Sequence, residues 1–165
     1  MSSFVYGKQE VSAWIRRHFR RSAEILDVGA CDGIWRELLP EYPNMDAVEA
    51  WAPNADRLSG YRTVYRADIR SLAYGEYDLI IFGDVIEHLN VPDAQTVLEY
   101  AKPRCRDMIV AVPWMYPQDA IYGNPYEIHI QDDLTPEIFA ARYPGLEILW
   151  DTHRQYCYYH KGATE

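Results

Sequence analysis

Glu24-Ile25-Leu26-Asp27-Val28-Gly29-Ala30-Cys31-Asp32-Gly33-Ile34-Trp35 is the stretch that decides how this chain folds. Ile25, Leu26 and Val28 form a short apolar run of the kind that builds a strand buried on both faces. Gly29 and Gly33 bracket the loop that follows, and Ile34, Trp35, Leu38 and Leu39 recur at helical spacing up to Pro40. Strand, glycine turn and helix in that order bring the backbone of an α/β sheet close to a nucleotide-like ligand.

On the N-terminal side, Val11, Trp14, Ile15 and Phe19 share one helical face, which predicts an amphipathic helix over Lys8 to Arg21. On the C-terminal side, strands are expected at Ala47 to Ala50, Thr63 to Arg66, Tyr77 to Phe82 and Met108 to Val112. Pro53 suits the first turn of a short helix, and Pro92 opens one with Ala94, Val97, Leu98 and Ala101 on one side. Thr135-Pro136-Glu137 supplies a cap, a proline at the first helical position and an acid in the first turn of a helix to Tyr143. Leu146 to Trp150 and Gln155 to Tyr159 are two last β runs, with Asp151 to Arg154 as their hairpin connection. Alternating strands and helices imply a doubly wound, mainly parallel sheet with right-handed crossovers, and the closing hairpin adds an antiparallel strand. Residues 113–133 show no clean period and are broken by Pro117, Gly123 and Pro125; so long a loop in a compact domain reads as a substrate lid.

The 165 residues suit a single domain. With 16 Lys and Arg against 25 Asp and Glu, the net charge of −9 opposes the counterion displacement on which nucleic-acid binding rests. The local run Arg16, Arg17, His18, Arg20 and Arg21 reads as the solvated face of the first helix. No run is long and apolar enough to span a bilayer, and Met1 to Lys8 lacks the pattern of a signal peptide, so no membrane role is expected. Cys31, Cys105 and Cys157 are odd in number and lack metal-site spacing, which suits reduced thiols in the cytoplasm.

A dinucleotide fingerprint requires G-x-G-x-x-G, but the second and third positions counted from Gly29 are Cys31 and Ile34. A phosphate-binding Walker loop fails as well, because no Gly-Lys-Ser/Thr follows the strand. What survives is a tight turn at Gly29, a close approach at Gly33 and two carboxylates, Asp27 and Asp32, whose charge suits a cationic ligand. S-adenosylmethionine, with its ammonium, sulfonium and ribose diol, is such a ligand. Glu49 lies 20 residues beyond Gly29 at a strand end, where a carboxylate can accept from both ribose hydroxyls. Asp68 ends the next strand and can accept from the adenine amino group.

Taken together, I-L-D-V-G-A-C-D-G, A-V-E-A-W, R-A-D-I, Y-D-L-I-I-F-G-D-V-I-E-H-L and H-I-Q-D-D-L-T-P-E-I-F resemble the class I S-adenosylmethionine-dependent methyltransferases, and they span Ile25 to Phe139. The block Asp84 to Leu89 is especially similar to ubiquinone-type and related small members. The resemblance implies a Rossmann-like seven-stranded sheet of order 3-2-1-4-5-7-6 with strand 7 antiparallel. It also implies that Asp27, Gly29 and Ala30 line the methionine portion and that Glu49 holds the ribose. Trp51 would flank the adenine, Asp68 and Ile69 would frame its edge, and Gly83 and Asp84 would lie beside the methyl donor. Cys31 departs from the pattern, since many members carry glycine there.

In-line displacement from a sulfonium mainly needs the two reacting atoms held at near contact. A hydroxyl acceptor also needs its proton removed, by a base or through a metal. The residues placed to act on the acceptor are Asp84, Glu87, His88 and His129. Some O-methyltransferases of this class carry E-x-x-E-H and bind a divalent cation, but D-V-I-E-H-L also occurs in metal-free relatives, and no metal is expected. Trp114, Met115, Tyr116, Tyr122, Tyr126 and Ile128 load the lid with apolar surface, which suits a flat or hydrophobic small-molecule acceptor. The expectation is a cytoplasmic methyltransferase. The alternatives are a non-catalytic binding module for the same cofactor and a metal-assisted O-methyltransferase acting on a ribose or phenolic hydroxyl.

Overall fold

The structure, a computed structural model, describes residues 6–152 and 155–162. The leader reading of Met1 to Lys8 falls partly outside them, as does the hairpin connection at His153 and Arg154. Twelve regular elements alternate along the chain: α1 (Lys8–His18), β1 (Ile25–Val28), α2 (Ile34–Leu38), β2 (Met45–Glu49), α3 (Ala52–Ala55), β3 (Thr63–Arg66), β4 (Tyr77–Gly83), α4 (Val91–Ala101), β5 (Cys105–Pro113), α5 (Pro136–Arg142), β6 (Glu147–Asp151) and β7 (Tyr156–His160). They form one seven-stranded sheet in the order β3-β2-β1-β4-β5-β7-β6. The strands from β3 to β5 pair in parallel, and β7 runs antiparallel to both neighbours, so the order implied by the motifs is borne out.

The central strands are apolar on both faces because helices cover both. Leu26, Val28, Ile80, Phe82, Met108 and Val110 point toward α4 and α5. The alternate residues Ile25, Leu79, Ile81, Ile109 and Ala111 point toward α1 and α2. Asp27 shares the α1/α2 face with Ile25, a direct consequence of the pleat. Helix α1 is shorter than expected, ending at His18 because Phe19 turns extended while its N–H still bonds the Ile15 carbonyl. Arg16, Arg17 and His18 in its last turn, and Arg20 and Arg21 after it, are exposed, with Arg16 pairing Glu41. Among the described residues no helix is long and apolar enough to cross a membrane.

Between β5 and α5 the chain is mostly irregular, as its lack of period suggests. A bridge between Ile121 and Asn124 and a single 3-10 turn at Pro125–Glu127 are its regular features. Backbone bonds within the loop and to its surroundings tie it down. Met115 N–H donates to Leu134, His129 N–H donates to Gln118, and the N–H groups of Ile130 and Gln131 both donate to the Glu87 carbonyl.

Candidate functional site

Sheet order reverses direction between β1 and β4, and in open α/β sheets ligands bind beyond the strand ends at such a switch. A cavity opens there, floored by Val28, Gly29, Glu49 and Gly83 and roofed by Tyr116, Tyr126 and Glu127 of the loop. Gly29 is left-handed (φ 70°), and a Cβ on it would lie 2.5 Å from Val85 Cγ2. Glycine is required at this turn for both reasons.

Two non-glycine residues on the cavity wall are also left-handed, Cys31 at φ 50° and Asp84 at φ 57°. Such conformations cost energy and concentrate at functional sites. Cys31 thus adopts a backbone conformation that glycine takes most readily. Its N–H donates to Glu49 Oε2 at 2.8 Å, and the Trp51 N–H donates to Oε1 at 2.9 Å. Each oxygen keeps lone-pair capacity toward the cavity. Burial raises the Glu49 carboxyl above the usual range, and these N–H groups pull it back. Asp68 is held low by Arg70, whose guanidinium donates to Oδ2 at 2.6 Å.

The end of the cavity around Glu87, His88 and His129 is largely buried. Glu87, on a 3-10 turn at Ile86–His88, is fully buried, and neither carboxylate oxygen meets a hydrogen-bond partner. Burial, and then the charge of Asp84, push its carboxyl well above the usual carboxylate range. The His88 and His129 rings meet edge to face at 4.7 Å between centroids. His88 Nδ1 bonds the Ile128 carbonyl at 3.1 Å and His129 Nδ1 bonds the Tyr116 carbonyl at 2.6 Å. A carbonyl only accepts, so each Nδ1 carries the proton and each Nε2 keeps its lone pair. Burial lowers His88 to about 4 and also lowers His129, which keeps both rings neutral at neutral pH. Glu87, His88 and His129 each bring one ligand-type atom to within 4.8 Å of the others. Asp84 accepts from the Tyr156 hydroxyl and has the buried Lys8 ammonium 3.9 Å from Oδ2.

Nine of the expected site residues thus line one cavity: Gly29, Glu49, Asp68, Ile69, Gly83, Asp84, Glu87, His88 and His129. The other five lie elsewhere. Asp27 is fully buried behind the wall, accepting from Tyr61 Oη at 2.5 Å, and Ala30 is buried beside it. Asp32 is exposed, and Gly33 and Trp51 are the N-cap residues of α2 and α3. Sequence reasoning missed Lys8, Tyr61, Glu127 and Tyr156. The one signal available for them was the Lys8 charge on the apolar side of α1, where Val11 and Ile15 also lie.

No protein-family model matches the sequence, and no curated protein matches it. Solved structures do. One is an S-adenosylmethionine-dependent methyltransferase from Clostridium acetobutylicum, with TM-score 0.70 at 12% identity over 94% of this chain and 89% of that one. The chain has the class I methyltransferase fold. A magnesium protoporphyrin IX methyltransferase from Synechocystis with bound S-adenosylmethionine aligns at TM-score 0.62 and 15% identity, over 97% of this chain and 85% of that one. A Burkholderia thailandensis 1,6-didemethyltoxoflavin-N1-methyltransferase, with its substrate and S-adenosylhomocysteine bound, aligns at TM-score 0.62 and 19% identity, over 94% and 77%. At such identities the methyltransferase fold is what is shared.

Proposed function

We propose that this protein is a single-domain S-adenosylmethionine-dependent methyltransferase acting on a small molecule. One observation carries the reading: Glu49 and Asp68, at the ends of neighbouring strands, share a cavity with the glycine turn of β1. Neighbours of the same fold hold S-adenosylmethionine or its product. The residues present fit that group. Glu49 is clamped by two backbone N–H groups and would accept from the ribose hydroxyls, Asp68 and Ile69 would frame the adenine, and Gly29 would let the backbone approach without a Cβ in the way.

When bound, S-adenosylmethionine supplies a methyl group already activated by its sulfonium. The chain's own task is then to hold the acceptor in line and exclude water. Gly83 and Asp84 flank the reacting centre at the end of β4. The neutral His88 and His129, with free lone pairs, accept hydrogen bonds from the acceptor, and the aromatic loop covers its apolar body. Asp27 supports the floor through Tyr61 rather than touching a ligand. Among the described residues Cys31, Cys105 and Cys157 form no disulfide, which suits the cytoplasmic setting of this reading.

The test is a thermal-shift titration. S-adenosylmethionine and S-adenosylhomocysteine are expected to raise the melting temperature and NAD to leave it unchanged. Glu49→Ala is expected to weaken S-adenosylhomocysteine binding by about tenfold or more, because two charge-assisted hydrogen bonds are lost. Stabilisation by NAD alone, or an unchanged shift in the variant, would refute the assignment.

A further inference from the structure

Every charged side chain on the cavity wall is an acid. Glu49, Asp68, Asp84, Glu87 and Glu127 line it, with no Lys or Arg among the lining residues. Three of these have their charge answered inside the protein: Glu49 by backbone N–H groups, Asp68 by Arg70 and Asp84 by Lys8. Glu87 is different. It is fully buried, lines the cavity and has no hydrogen-bond partner for either oxygen. An acid left so at a cavity wall is completed by what enters the cavity.

The spacing around it indicates what that is. One ligand-type atom from each of Glu87, His88 and His129 lies within 4.8 Å of the other two. A divalent ion with ligand bonds of about 2.1 Å holds tetrahedral ligands about 3.4 Å apart, and even opposed ligands no more than about 4.2 Å apart. A nitrogen donating three hydrogen bonds of about 2.9 Å in tetrahedral directions sets its acceptors about 4.7 Å apart. A spacing of up to 4.8 Å leaves room for a hydrogen-bonded amino group among the three residues, and the all-acid lining favours its cation. The loop above agrees with this. Between residues 113 and 133 it carries Asp119, Glu127, Asp132 and Asp133 but no Lys or Arg, and it presents Tyr116 and Tyr126 to the cavity. Aromatic faces and carboxylates both attract a cationic group and repel an anionic one.

We propose that Glu87, His88 and His129 form an amine-binding subsite, so that the acceptor is an apolar or aromatic amine rather than a carboxylate or a phosphate ester. This rests on the methyltransferase reading for its context, but binding tests it separately. Phenethylamine, 2-phenylethanol and phenylacetate share a ring and differ in head group. Each is titrated calorimetrically into the protein, with and without S-adenosylhomocysteine. The arm without it reads the subsite even where the cofactor assignment fails.

Phenethylamine is expected to bind about tenfold or more tightly than either analogue. Glu87→Gln is expected to remove that preference while S-adenosylhomocysteine still binds. Should Glu87→Gln fail to fold by circular dichroism, His129→Phe replaces it, with a several-fold loss of amine affinity expected. Equal binding of the three compounds, a preference for phenylacetate, or an amine preference that survives both substitutions overturns the proposal. So does tight binding of Mn²⁺ or Zn²⁺ to the wild type that Glu87→Gln abolishes, which would make the cluster a metal centre.

Discussion

Asp27 shows how one residue's surroundings set its chemistry. Its position before the glycine turn reads as a ligand-contacting acid, yet the pleat sends its side chain to the α1/α2 face beside Ile25. There it is fully buried, with Tyr61 donating to Oδ2 and nothing bonded to Oδ1. Burial pushes its carboxyl up to about 7, offset only in part by Tyr61 and the Lys8 charge. The folded state therefore binds an extra proton between the unfolded value of 3.8 and about 7, and stability falls as pH rises through that window. His88 acts in the opposite sense. Lowered from 6.5 to about 4, it adds stability as pH rises between those values. Asp27→Asn removes only the first effect. Melting curves are expected to coincide with wild type near pH 4, with the variant rising above it through pH 7 and the gap constant at higher pH. A gap that closes as pH rises would refute this account.

Whole elements were the most legible feature of the chain. Strands β1 and β3 run as expected, and the others shift at their ends by a few residues, because apolar runs buried on both faces mark a central strand but not its last hydrogen bond. Helix α5 was legible from its cap, and the structure supplies the bond: Thr135 Oγ1 accepts from the Ile138 N–H at 3.2 Å. Thr135→Ala is expected to cost about 1 kcal/mol, read as a lower denaturant midpoint with an unchanged slope. The loop from Trp114 to Asp133 was legible only as a break in period. Its fold depends on tethers such as the two N–H bonds to the Glu87 carbonyl, which no local pattern encodes.

At the scale of the molecule, β7 inserts between β5 and β6 and brings Tyr159 against α5. Phe139 is fully buried and stacks on Tyr159 at 3.6 Å between centroids. Phe139→Ala leaves a cavity between helix and sheet and is expected to cost about 3–5 kcal/mol in chemical denaturation. The sequence by itself determined the order of strands and helices, the glycine turn, and the acids Glu49 and Asp68 at strand ends. These are local matters of apolar runs, backbone freedom and turn chemistry. Only the tertiary structure decided that Lys8 reaches Asp84 and that Tyr61 donates to Asp27. Those meetings link residues 34 to 76 positions apart, and distances across such spans are set by how helices and loops pack on the finished sheet.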